Sequence, residues 1–256
     1  MNDDGPRNRV KALEKTFSIV ESLEELDGGR VTEVATHLDY PPSTVHSHLS
    51  TLEHWGLVVK EGDEYHVGLR WLTFGGYAIT RKDEYTLAVE KTKEIARTTG
   101  ERAQFVVEEH GRGIYVATET GEAAVQIDAR IGKRNFLHAS AAGKAILAHC
   151  PSEKIDAMID RWGLKSLTEQ TITERDALEA ELAAVRERGY SMNDGESISG
   201  LRAVGASIRG ANGEVIGSIS VSGPSNRLTG ARFDDELPSL LQGVTNEIEL
   251  KLEYGR

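Results

Sequence analysis

From Val10 the apolar residues Leu13, Phe17, Val20, Leu23 and Leu26 return every three or four positions until Gly28-Gly29, which predicts an amphipathic helix with a glycine stop. A shorter stretch sets Val34, Ala35 and Leu38 on one face, with Thr32 as the expected N-cap. Asp39-Tyr40-Pro41-Pro42 ends it, because each proline disfavours helical geometry in the residue before it. Pro42 suits the first turn of a third helix, with Ser43 or Thr44 near its cap, and Val45, Leu49 and Leu52 form its inward face. After Gly56, LVVKEGD and EYHVG read as two strands about a Gly-Asp turn. Residues 69–82 read as helical with an interruption at Gly75-Gly76, which either a hinge or close packing explains, and residues 84–98 as a second amphipathic helix.

The period changes at Gly100. AQFVVEE, GIYVATE and AVQIDAR alternate or are rich in β-branched residues and are separated by glycines, so they predict antiparallel strands. LHASAAGKAILAHC starts a helix, residues 152–161 and 173–188 give two more, RAVGASIRG and VIGSISVSG make a hairpin about Ala211-Asn212-Gly213, and a last helix runs from Asp234 to Leu252. The predicted fold class is α+β: a polar, frayed tail over residues 1–8, a winged helix-turn-helix over 9–69, a helical linker over 70–83, and a second domain over 84–256 whose single antiparallel sheet is flanked by helices. Helix, tight turn, helix, hairpin is the order a DNA-reading winged helix requires.

Composition narrows the function. In 256 residues no apolar run approaches the ~18 of a membrane span, and MNDDGPRNRVK lacks the apolar core of a signal peptide, so a cytoplasmic protein is expected. The single cysteine, Cys150, excludes an intrachain disulfide, and no HxxxH or CxxC spacing supports a metal; no metal and no cofactor are expected. An enzyme would need Cys150 with His149 or His138; the adjacent His149 points about 100° away on a helix, which is poor geometry for a nucleophile and its base, and His138, twelve residues earlier, depends on the fold, so no catalytic residues are assigned.

Charge runs against the DNA reading. The chain carries a net −11, and residues 1–80 hold 7 Lys+Arg against 13 Asp+Glu, or −6, so the basic footprint of a DNA binder is missing. Either the first domain has become a protein-interaction module or it works where salt screens the repulsion; 11 Lys against 19 Arg in an acidic chain suggests a salt-rich, halophilic cytoplasm. The outward face of the third helix supplies Ser43, Thr44, Ser47, Ser50, Thr51 and His54, with His46 on its flank. Such short side chains approach base edges closely, Ser and Thr pairing with several bases. Pro42, Ser43, Thr44, His46, Ser47, Ser50 and Thr51 are therefore the candidate DNA-facing residues. Five of the eight histidines, His37, His46, His48, His54 and His66, also lie here; any of them could donate to a phosphate or be a solvated surface residue.

PPSTVHSHLSTLEHWGLV, LHASAAGKAILA, RERGYSMNDGESISGLRAVGASI and SISVSGPSNR occur in that order, and with them the chain from about Val10 to Leu252 resembles the isocitrate lyase regulator (IclR) family of transcription factors. The resemblance implies a GAF-like effector domain, a dimer or dimer of dimers on a near-palindromic double-stranded DNA operator, and control of metabolic genes by a small, often carboxylated metabolite. It implies an effector site of Ser140, Ala141 and Ala142 at a helix start, Asn193, Leu201, Ala203, and Ser220 with Ser222. The two serines are two apart on a predicted strand and share a face, so a ligand or a neighbouring group must take their hydroxyls. Many family members carry a carboxylate where Asn193 stands and a cysteine where Ala203 stands, so hydrogen bonding and pocket volume differ here, and a basic residue where Pro42 and Ser47 stand, which points to an altered DNA target or to operation at high salt. Of the nearby charges, Asp194 and Glu196 are expected to be solvated, and Arg202 could bias ligand charge.

Overall fold

The structure is a computed structural model that describes residues 9–125 and 128–255; the tail expected over residues 1–8 lies outside them. It divides into two compact units, Met1–Ala78 and Ile79–Arg256, with the boundary inside the segment read as a linker.

The first unit contains α1 (Lys11–Glu25), α2 (Val31–Leu38), α3 (Pro42–His54) and the hairpin β1 (Val58–Glu61) and β2 (Glu64–Val67). Ile19 and Leu23 from α1, Val34 and Ala35 from α2, Val45, Leu49 and Leu52 from α3, and Val58 and Tyr65 from the wing form its core. Arg30, not Thr32, precedes α2, and its backbone N–H donates to the Glu33 carboxylate at 2.7 Å. Asp39 takes a left-handed conformation that closes α2, and Pro41 rather than Ser43 or Thr44 is the cap residue of α3, with Pro42 in the first turn. The stripe that predicted α1 splits: Leu23 turns inward with Ile19, which lies outside the stripe, while Val10, Leu13 and Phe17 are each more than half exposed. The next helix, α4 (Trp71–Thr80), runs through Gly75-Gly76 without a break and has no buried residue; Leu72, Phe74 and Tyr77, with Leu69 before it, are exposed.

The second unit is one antiparallel sheet with helices on both faces. Its strands are β3 (Arg102–Glu109), β4 (Arg112–Thr120), β5 (Arg134–Asn135), β6 (Ser191–Asp194), β7 (Leu201–Arg209) and β8 (Val215–Pro224), in the order β5-β4-β3-β8-β7-β6. On one face α5 (Asp83–Thr99) and α9 (Leu237–Tyr254) pack over Ala103, Phe105, Val204, Ala206, Ile219 and Val221. On the other lie α6 (Ala141–Leu147), α7 (Ser152–Trp162) and α8 (Arg175–Arg188), whose core joins Val106 to Ile146, Leu147, Ile155, Leu178 and Leu182. Of the expected strand AVQIDAR, Ala124, Val125 and residues 128–130 belong to no strand, and Gln126 and Ile127 lie outside the described residues. The edge is filled instead by the two-residue β5, which pairs with β4 through Gly113 and Ile114.

Strand register builds a polar stripe on the α6 face. Gln104 stands opposite Ser220, Ser220 opposite Gly205, and Gly205 opposite Ser191; in the next row Arg102, Ser222, Ala203 and Asn193 follow one another across four strands. Residues directly opposite in a ladder share a face, so these side chains all point toward α6.

Candidate functional site

The outward surface of α3 is a strip of short polar side chains. Pro42, Ser43, His46, Ser47, Ser50 and Thr51 are exposed, as is His54, while Thr44 sits half-buried at its edge. Ser47 Oγ donates to the Ser43 carbonyl and Thr51 Oγ1 to the Ser47 carbonyl, both at 2.9 Å, so these hydroxyls present lone pairs outward and suit a base-edge amino group. The fold claims three of the five histidines: His37 pairs with Glu25 at 3.0 Å, His48 Nδ1 meets Thr16 Oγ1 at 2.8 Å, and His66 lies half-buried 4.0 Å from Glu64. His54 meets the Trp55 ring edge-on, which leaves His46 on the strip itself.

In the second unit a cavity of about 80 Å³ lies between α6 and the polar stripe, and all eight residues named from the IclR resemblance line it: Ser140, Ala141, Ala142, Asn193, Leu201, Ala203, Ser220 and Ser222. Gly205 makes the approach of α6 possible. A Cβ there would stand 2.8 Å from the Ala141 carbonyl carbon and 2.9 Å from the Ala142 nitrogen, so only glycine lets the helix start press onto β7. Ser191 Oγ then donates to the Ala141 carbonyl at 2.5 Å and holds the helix down. Ser140 caps α6 by accepting the Gly143 N–H at 3.1 Å, and the N–H groups of Ala141 and Ala142, in the first turn, have no carbonyl within the helix to bond.

The serine pair converges on a side chain that the sequence did not single out. Ser220 and Ser222 both donate to Gln104 Oε1, each at a long 3.4 Å, so their hydroxyls are weakly held. Asn193 is more committed: its amide donates to the Ala139 carbonyl at 2.7 Å and its oxygen accepts the Glu196 N–H at 3.1 Å, tying the α6 approach to the β6–β7 turn. Tyr115, Asp128, Asn135, Ser197 and Ile198 complete the lining. Burial pushes the Tyr115 hydroxyl above its ordinary value, opposed by Asn135 and the nearby Arg102 charge.

The charges around the cavity differ from expectation. Glu196 is buried, not solvated: its Oε1 pairs with Lys144 at 2.6 Å, and burial pushes its carboxyl up against the pull of that cation. Lys144, 1% exposed, also meets Glu181 at 3.2 Å, so an ion cluster beneath α6 joins it to α8 and to the β6–β7 turn. Arg202 grips Asp194 with two bonds of 2.7 and 2.8 Å and lies 4.9 Å from the Phe233 ring, so it belongs to the opposite sheet face. Asp194 itself is exposed but paired, and Arg202 holds its carboxyl below the usual range.

Cys150 donates its thiol to the Ile146 carbonyl at 3.4 Å, and burial pushes the thiol up, away from a reactive thiolate. His138 is buried and its Nε2 bonds the Lys165 carbonyl at 3.1 Å. Among the described residues no group of His, Cys, Asp or Glu is arranged to hold a metal, and no helix is long and apolar enough to cross a membrane.

Both units match family descriptions: residues 12–62 the IclR helix-turn-helix domain, and residues 77–249 the bacterial transcriptional regulator IclR C-terminal domain. A relative in Halobacterium salinarum, named "Probable HTH-type transcriptional regulator ArcR", is 34% identical over 255 residues, covering 98% of this chain and 97% of its own. Among solved structures, Thermotoga maritima IclR is 26% identical with a TM-score of 0.80, covering 96% of this chain and 100% of its own. An IclR homologue from Microbacterium hydrocarbonoxydans, solved in complex with 4-hydroxybenzoate, shares the fold at 22% identity and a TM-score of 0.79, covering 94% of this chain and 99% of its own. A DNA-reading winged helix-turn-helix and a curled antiparallel sheet with helices on both faces, each matched over most of its length, make this chain a member of the IclR family of DNA-binding transcriptional regulators.

Proposed function

We propose that the chain is a sequence-specific regulator whose affinity for a double-stranded, near-palindromic operator is set by a small carboxylate held in the cavity of the second unit, and that it acts in the cytoplasm. The convergence of two weakly bonded serine hydroxyls and the start of α6 on one cavity carries this reading. A carboxylate accepts from hydroxyls more strongly than the neutral Gln104 oxygen that takes them at 3.4 Å. The 4-hydroxybenzoate in the Microbacterium fold neighbour is itself a carboxylate and supports the class by analogy. A cavity of about 80 Å³, against roughly 300 Å³ and more for drug-sized ligands, favours an acid of a few carbons over an aromatic one.

Two copies would place their α3 helices in successive major grooves, roughly 34 Å apart. Val10, Leu13 and Phe17 before and on α1, with Leu69, Leu72, Phe74 and Tyr77 before and on α4, give the first unit more exposed apolar surface than a monomer needs, which supports self-association as a dimer or dimer of dimers. The effector then acts by its affinity difference between two arrangements of the pair, typically worth about 1–3 kcal/mol.

Gel shifts with the DNA upstream of the chain's own gene, at several KCl concentrations and with short carboxylates titrated in, test this reading. Ser47→Ala is expected to weaken operator binding about tenfold and to leave carboxylate binding intact. Ser220→Ala with Ser222→Ala is expected to do the reverse. If both affect only ligand binding, α3 is not the reading head. A second reading, a protein-interaction module, draws on the −6 charge of residues 1–80, and the absence of a selective shift at any salt concentration would favour it.

A further inference from the structure

Arg102, the first residue of β3, is 7% exposed, and among the described residues no carboxylate pairs with it. Its Nη1 donates to Thr118 Oγ1 at 3.3 Å and its Nη2 to the Val125 carbonyl at 3.0 Å, while Nε is buried with no acceptor. A buried cation held only by neutral groups is costly, and burial lowers the pKa of this guanidinium. The ladder sets it beside the cavity: Arg102 stands opposite Ser222, which stands opposite Ala203, and both of these line it.

Two cavity-lining residues lie on the same side. The Asn135 carboxamide on β5 is buried at both its nitrogen and its oxygen with no well-formed hydrogen bond, and it adjoins the Tyr115 hydroxyl on β4. Asp128 also lines this end, but its charge is matched by Lys133 at 2.5 Å and Arg130 at 3.0 Å. The α6 start, by contrast, sits over β7. The Tyr115–Asn135 end lies over β4 and β5 and the α6 start over β7; between them Arg102 on β3 leans toward β4 through Thr118, and Ser220 and Ser222 stand on β8. With strands about 4.8 Å apart the cavity has two polar poles a short carbon chain apart.

We propose that Arg102, Asn135 and Tyr115 form a second ligand-reading pole that takes a second carboxylate, so that the effector is a short dicarboxylate. The proposal rests on the effector site described above and specifies its ligand. One carboxylate meets Ser220 and Ser222. The other supplies the charge that Arg102 lacks and accepts from the Asn135 amide.

The full chain, at high KCl, is titrated calorimetrically with malonate, succinate and glutarate and with propionate, butyrate and valerate, their one-carboxylate counterparts. At least one dicarboxylate is expected to bind about tenfold or more tightly than its counterpart. Arg102→Gln should erase that preference, Asn135→Ala should reduce it, and Ser220→Ala with Ser222→Ala should weaken both series. Without ligand, Arg102→Gln should melt at or above the wild-type temperature, because a charge without a counter-ion has been removed. A lower melting temperature with the preference intact would make Arg102 a structural residue and overturn the proposal. Monocarboxylates binding equally well would overturn the second pole and leave the carboxylate site standing. Binding of neither series overturns the dicarboxylate assignment, while an operator complex that still responds to other acids would retain the broader reading.

Discussion

Lys144 and His138 show how one buried group can be tested alone. Lys144→Met would strip Glu196 of its cation and leave Glu181 with only Arg188 at 2.8 Å, so unfolding in urea is expected to show a loss of about 3–5 kcal/mol. His138 works through protons. Burial holds its ring below the usual histidine range, so below about pH 6.5 the unfolded chain takes up a proton that the folded chain resists. The unfolded state then binds more protons, and stability falls as pH falls. His138→Gln keeps a donor for the Lys165 carbonyl and removes the titration, so its stability should gain on wild type from about pH 7 to about pH 5; a pH-independent difference would show that the ring titrates normally. At this scale the serine pair was legible because residues two apart on a strand share a face. Gln104 was not, because it meets Ser220 across 116 positions of sequence, and Glu196 was misread as solvated because Lys144 lies 52 positions away.

Helices and long strands were legible from period alone, and the failures are short or nonlocal elements. A two-residue strand such as β5 has no period to detect, and AVQIDAR has the composition of a strand although its described residues pair in no ladder. Periodicity found α1 but not which of its apolar residues face the core, since Leu13 and Phe17 alternate with Ile19 and Leu23 around the same helix. The glycines separate by what surrounds them. Gly205→Val would drive a Cβ into the α6 backbone, which cannot yield as a side chain would, so a loss of carboxylate binding and about 1–3 kcal/mol of stability are expected, read by calorimetry and urea unfolding. Among the described residues of the first unit nothing stands where a Cβ at Gly75 or Gly76 would go, so close packing within that unit is not their reason. Gly75→Ala and Gly76→Ala should therefore each stabilise α4 by about 0.5–1 kcal/mol. Loss of operator binding in either variant would place a hinge or a second copy of the chain at that pair.

For the whole molecule, the question is how an acidic chain holds a polyanion. Helix α3 contains no lysine or arginine, and several cations elsewhere in the first unit are already occupied: Arg70 donates to the Trp55 carbonyl and lies over the Trp55 ring at 5.6 Å, and Arg9 pairs with Glu14 at 3.2 Å. Few phosphates can be neutralised, so few counterions are released on binding. The slope of log affinity against log salt, about −0.9 for each phosphate neutralised, is then shallow. Repulsion between DNA and the −6 of residues 1–80 acts in the opposite sense, and salt near 1 M, with a Debye length of roughly 3 Å, removes most of it. Operator affinity measured from roughly 0.2 M to roughly 2 M KCl is expected to change with a slope between about −2 and zero, or to rise. A slope of about −6 or steeper would mean that a basic surface has been overlooked. Under the shallow slope, specificity comes from the hydroxyl and imidazole contacts of α3, and Ser47→Ala should cost the same fold-change at both ends of the salt range. A cost that vanishes at high salt would mean that Ser47 acts on the phosphates rather than on a base.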